Sequence, residues 1–176
     1  MKANIGIPEK HLQAVAVELN KLLADEFVLY TKTRNFHWNI EGSNFMEMHK
    51  FYEKQYEELA EMIDQVAERI RMLGHYSEGR MKDFLELTRL LEEEYTNEQD
   101  RQLQYLLDDH ETIIRAIRQQ ALKFADEHKD PGSSDFVTGI MEQHEKMAWM
   151  IRSYLKGNNT SGQSKSAARS FSMTKQ

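Results

Sequence analysis

Only two prolines and eight glycines interrupt 176 residues. Between them, apolar side chains recur every three or four positions. A chain with that pattern folds as a few long helices, each with an apolar stripe to bury against its neighbours. β-branched clusters are short and rarely alternate, so strands are not expected. Charged residues make up 30% of the chain, in mixed stretches that favour helix.

Pro8 and Glu9 mark a first helix running to about Trp38, with Leu12, Val15, Leu19, Leu22, Leu23, Phe27 and Tyr30 at helical spacing. Asn44 and Glu47 read as a capping box opening a second helix. Its core side carries Phe51, Leu59, Met62, Ile63, Val66, Ile70 and Leu73, and Gly74 ends it. Phe84, Leu85 and Leu87 predict a short helix inside a long connection, in which Glu92–Glu94 reads as a solvated face. Thr96 and Gln99 form a second capping box. The third long helix follows, with Leu103, Leu106, Leu107, Ile113, Ile114, Ile117 and Leu122 inward. Ser133 or Ser134 caps a fourth, which carries Phe136, Ile140, Met147, Ile151 and Leu155 and stops at Gly157. The expected domains are an arm over 1–7, a bundle over 8–157 and a flexible, mildly basic tail over 158–176. Four long helices with one long middle link predict an all-α, ferritin-like four-helix bundle with a crossover and a short extra helix in that link.

Composition narrows the chemistry. Cysteine is absent, so any metal must be held by nitrogen and oxygen. No apolar run approaches the ~20 residues that span a bilayer, and no apolar signal segment opens the chain. A soluble, cytoplasmic protein is expected. The net charge is −6, and the tail contributes three basic residues (Lys165, Arg169, Lys175) and no acids. The remaining body carries −9, which suits attracting cations more than phosphates.

The second helix holds two pairs at i, i+4: His49 with Glu53, and Asp64 with Glu68. Side chains four apart share a helix face, so each pair can point two ligands at one ion. Imidazole with carboxylate suits iron, zinc or manganese. His37, at the end of the first helix, can join a nearby site. Glu57 with Glu61 is a pair of the same kind, read as surface. His49 and Asp64 lie fifteen residues apart, roughly 22 Å along a straight helix, whereas metal–ligand bonds are about 2 Å. Either the chain has two incomplete sites, or a second chain supplies the missing half. In a two-fold dimer, second helices crossing antiparallel would bring His49 and Glu53 to the partner's Asp64 and Glu68, giving two equivalent sites. The Glu-x-x-His signature of di-iron bundles occurs nowhere in the chain, which argues against such a site within one subunit.

Asn35-Phe36-His37-Trp38, Met48-His49-Lys50-Phe51-Tyr52-Glu53 and Asp64-Gln65-Val66-Ala67-Glu68-Arg69-Ile70 together resemble the Dps family, the miniferritins (DNA-binding proteins from starved cells). The resemblance covers about residues 8–156. It implies a dodecameric shell around an iron-mineral cavity, with ferroxidase centres at two-fold interfaces. His37, His49 and Glu53 would come from one chain and Asp64 and Glu68 from the other, holding two irons and no haem. The family more often has Asp where Glu53 stands. It oxidises Fe(II), preferring hydrogen peroxide to oxygen, and stores the ferric oxide. By the same resemblance, Trp38 is expected to pass an electron or to pack. Asp126, Glu127, Asp130 and Asp135 are expected to line pores or to solvate a turn. A different class of function is DNA binding through the basic tail, with nucleoid association, multiplied by the copies on one shell. A third, a non-catalytic helical interaction protein, requires the metal pairs to be coincidental.

Overall fold

The computed structural model describes the backbone of residues 3–172 and the side chains of residues 3–156. Its five helices are α1 (Glu9–Asn39), α2 (Phe45–Met72), α3 (Met81–Leu87), α4 (Gln99–Asp126) and α5 (Pro131–Ser172). No strand occurs among the described residues. This is the expected all-α, ferritin-like bundle, with the short extra helix in the expected link.

Pairwise contacts set the topology. Tyr30 meets Tyr56 and Phe36 meets Tyr52, so α1 and α2 run antiparallel. Arg118 reaches Glu145 and Arg152 reaches Glu111, so α4 and α5 are antiparallel too. Lys32 bonds Asp109 and Gln120 bonds Glu18, which makes α1 antiparallel to α4 as well. α2 and α4 therefore run parallel, and only a long crossover can join parallel helices of this length. The crossover carries α3, whose Phe84 stacks on Phe27 of α1 at 4.5 Å. Two buried acids of the bundle tie it down. Asp25, fully buried, accepts from the Thr88 hydroxyl (2.9 Å), the Arg89 backbone N–H (2.6 Å) and Arg89 Nε (2.7 Å). Lys32 bridges Asp109 at 2.6 Å and Glu93 at 2.5 Å. Glu93 thus departs from the solvated stretch expected of Glu92–Glu94, because it neutralises a largely buried lysine.

The core contains the predicted stripes, including Leu12, Leu19, Leu59, Val66, Leu103, Ile117 and Ile151, all fully buried. Leu122 does not join them: it is 65% exposed, and Phe124 supplies that turn's buried side chain instead.

The helix ends differ in detail from the sequence reading. Asn44 is the N-cap of α2 but makes no side-chain cap bond, and Glu47 accepts instead from the Tyr154 hydroxyl of α5. α4 starts after Glu98, so Thr96 lies outside the helix. The Thr96 hydroxyl accepts the Glu98 N–H, and its carbonyl accepts from the Gln102 side chain. At α5 the capping side chain is Asp130, which accepts the Ser133 N–H at 2.9 Å. Pro131 then takes the first helical position, where its missing N–H costs nothing. α2 closes as predicted, with Gly74 at φ +86°, a left-handed conformation that glycine adopts without strain. α5 continues past Gly157. A lone glycine costs a helix about 1 kcal/mol and does not by itself end one. The tail assigned to 158–176 lies outside the described side chains.

Candidate metal centre

His37 ends α1, and His49 falls in the second turn of α2, across the tight turn between the antiparallel pair. The turn brings their rings face to face, with centroids 3.7 Å apart and planes at 20°. Each ring bonds the other residue's main chain: His37 Nδ1 lies 2.8 Å from the His49 carbonyl oxygen, and His49 Nδ1 lies 2.9 Å from the His37 carbonyl oxygen. A carbonyl only accepts, so both Nδ1 atoms must carry the proton and donate. In the neutral ring this tautomer leaves Nε2 as the lone-pair nitrogen through which imidazole ligates a metal, and the carbonyls fix it from behind. His37 is buried and His49 is half-buried, so the pair stands at the bundle surface rather than in its core.

The other predicted ligands lie further along α2. Glu53 is half-buried one turn after His49, and Asp64 and Glu68 are exposed. Among the described residues, no three His, Asp or Glu side chains of this one chain are grouped to hold an ion. His37 and His49 come together; Asp64 and Glu68 do not join them. Trp38 is 62% exposed beside His37, and the Arg34 guanidinium carbon lies 5.4 Å from the centre of its ring. Asp126, Glu127 and Asp135 are exposed at the α4–α5 corner. Asp130 is not: it is buried and accepts from Ser133 and from Arg69 of α2.

The interior holds a polar chain that sequence reasoning missed. Fully buried His144 of α5 places Nε2 at 2.7 Å from Oε1 of fully buried Glu26 of α1, and Nδ1 at 2.8 Å from Nδ1 of fully buried His110 of α4. Burial first, and His144 second, hold the His110 imidazole well below its ordinary pKa. Asp109, on the neighbouring face of α4, is pushed up to about 6 by burial, against the pull of Lys32. An acid within the apolar run Leu22-Leu23-Ala24-Asp25-Glu26-Phe27-Val28-Leu29 was the available signal, because a charge on a core stripe implies a buried partner.

A ferritin-like domain family matches residues 17–159. DNA protection during starvation protein 2 of Bacillus anthracis is 35% identical over 137 residues, covering 78% of this chain and 93% of that protein. This chain belongs to the Dps family of ferritin-like proteins. A low temperature-induced protein of Nostoc sp. is 41% identical over 157 residues, covering 89% of this chain and 88% of that one. Among solved Dps structures, DpsC from Streptomyces coelicolor superposes with a TM-score of 0.85 at 27% identity, covering 88% of this chain and 91% of that one. The Vibrio cholerae Dps superposes at 0.82 with 31% identity, covering 88% and 98%. That protein is described as one of a superfamily of ferritin-like diiron-carboxylate proteins. Membership in this Dps family links the chain to iron and stress protection. No described helix is long and apolar enough to cross a membrane.

Proposed function

We propose that this Dps-family protein oxidises Fe(II), preferentially with hydrogen peroxide, at sites completed between two subunits, and stores the ferric oxide in a hollow shell of twelve copies. The observation that carries this reading is the reciprocal His37–His49 lock, in which each Nδ1 is engaged by the other residue's carbonyl and Nε2 is the nitrogen left for a metal. Along the same helix Asp64 stands roughly 22 Å from His49, and Glu68 roughly 28 Å. A partner related by a two-fold axis supplies carboxylates to the histidines and receives them in return, so each interface carries two sites.

In each site His37, His49 and Glu53 of one chain bind iron, and Asp64 and Glu68 come from the neighbour. The carboxylates offset the charge of two ferrous ions and favour the ferric product, a harder cation. Each Fe(II) loses one electron. Peroxide takes both, its O–O bond breaks, and with two protons it leaves as two waters. Pairing the electrons at one place avoids releasing hydroxyl radical. The acidic body draws ferrous ions towards the protein, and exposed Asp126, Glu127 and Asp135 serve as an entry path.

Anaerobic Fe(II) mixed with peroxide tests the reading. Wild-type protein should give fast growth of ferric absorbance, and the His37→Ala, His49→Ala double variant should lose it while keeping its shell. Absorbance growth no faster than in buffer rules the proposal out.

DNA protection is a second reading, favoured by the names of relatives such as the Bacillus anthracis protein and by the three basic residues after position 157. A mobility shift that weakens with salt and vanishes when 158–176 is removed supports it. No shift at low salt dismisses it.

A further inference from the structure

The His37 imidazole is held on two sides. His49 covers one face. The ring of Tyr56 meets it edge-on, with centroids 5.2 Å apart and planes at 81°. Tyr56 stands one turn after Glu53 on α2 and is itself clamped. The guanidinium carbon of Arg34 lies 4.6 Å from its ring centroid, and Tyr30 packs against it edge-on at 6.2 Å. Arg34 is fixed in turn by a 2.7 Å bond to the Tyr30 hydroxyl and by the face of Trp38. A guanidinium cannot lose its charge in this pH range, so its attraction to the rings persists under every working condition.

The two carbonyl bonds decide which nitrogen carries the proton, but each is a single contact at Nδ1. Anchored covalently at Cγ and by one hydrogen bond at Nδ1, the ring can still tilt about the line joining those two atoms, which displaces Nε2 from a metal. Tyr56 packs against that ring at 5.2 Å and 81°, so the two rings restrict each other's tilt. We propose that Tyr56 is a positioning residue for His37 and that Arg34 holds Tyr56 in place. This rests on the metal reading given above. The ring does the work, so the hydroxyl is dispensable and the aromatic bulk is not. Sequence alone did not suggest it, because Tyr56 is one of seven tyrosines with no motif around it.

Co(II) uptake by the full-length assembled protein tests this without turnover, by titration of the visible absorption of the bound ion. Tyr56→Leu should weaken Co(II) binding about tenfold, in line with the loss of an orienting neighbour, and change the band shape. Tyr56→Phe should restore both. Arg34→Gln should weaken binding in the same direction. In Fe(II) oxidation, Tyr56→Leu should raise the iron concentration needed for half-maximal rate and keep the saturating rate. Wild-type Co(II) affinity in Tyr56→Leu overturns the proposal, as does equal loss in Tyr56→Phe. Should the leucine variant fail to assemble, Tyr56→Met, which keeps bulk without a ring, is read the same way. Failure of the underlying metal reading looks different: Co(II) binding would survive His37→Ala.

Discussion

His144 and Glu26 meet at 2.7 Å where neither side chain touches solvent, joining α5 to α1 through the centre of the bundle. Removing one member leaves the other buried without its partner, which costs about 3–5 kcal/mol when the survivor is charged. His144→Ala should therefore lower the melting temperature at fixed protein concentration by much more than Tyr76→Ala, a change at a residue 84% exposed. Glu26→Gln, which removes the charge and keeps the shape, should cost less. Equal melting temperatures for His144→Ala and wild type would remove the pair from any account of stability.

Two buried groups on α4 predict opposing pH effects. The folded pKa of His110 lies well below 6.5, so below pH 6.5 the unfolded chain binds a proton that the folded one refuses. Its stabilisation is full above 6.5 and is lost as pH falls. Asp109 is raised to about 6, so between about pH 4 and 6 the folded chain binds a proton that the unfolded one lacks. Its contribution grows as pH falls through that window. The two oppose each other there. Asp109→Asn abolishes the second effect, so the variant should lose stability on acidification from pH 6 to 4 faster than wild type, by on the order of 1 kcal/mol per pH unit. Parallel melting curves across that range would contradict the assignment.

Mixed shells give a quantitative test of the intersubunit site. His37→Ala with His49→Ala disables one half-site, and Asp64→Ala with Glu68→Ala disables the other. Each double variant alone should be nearly inactive. Co-assembled one to one, half of the two-fold interfaces pair unlike chains, and each of those has one intact site of two. Peroxide-driven iron oxidation should recover to about a quarter of wild type. No recovery from shells shown by mass spectrometry to be mixed argues against shared sites.

Arg89 anchors the crossover to buried Asp25. Arg89→Ala should destabilise the protein by about 3 kcal/mol and speed amide exchange over 88–95 more than over α2. Uniform exchange along the chain would show that the link is held by something else.

Much of this molecule is legible in its sequence. The 3.6-residue apolar repeat and the scarcity of glycine and proline set the number and order of the helices, because a helix stripe is a local property of its own sequence. The i, i+4 pairs on α2 marked the candidate ligands for the same reason, and the fifteen-residue gap between His49 and Asp64 already argued that one copy of the helix could not unite them. Contacts between residues far apart in the chain were another matter. Glu26 and His144 are separated by 118 positions, and the sequence alone does not indicate that the acid in an apolar stripe would meet that histidine. Capping also slipped: Asp130 rather than Ser133 closes the start of α5, because a carboxylate accepts the free N–H groups without needing a donor of its own. Leu122 fell outside the core because Phe124 takes the inward position there. The tertiary fold alone decided that His37 and His49 lock each other through their carbonyls. That bond depends on the angle at which two antiparallel helices leave a five-residue turn, a geometry set by packing the whole α1–α2 interface rather than by either helix.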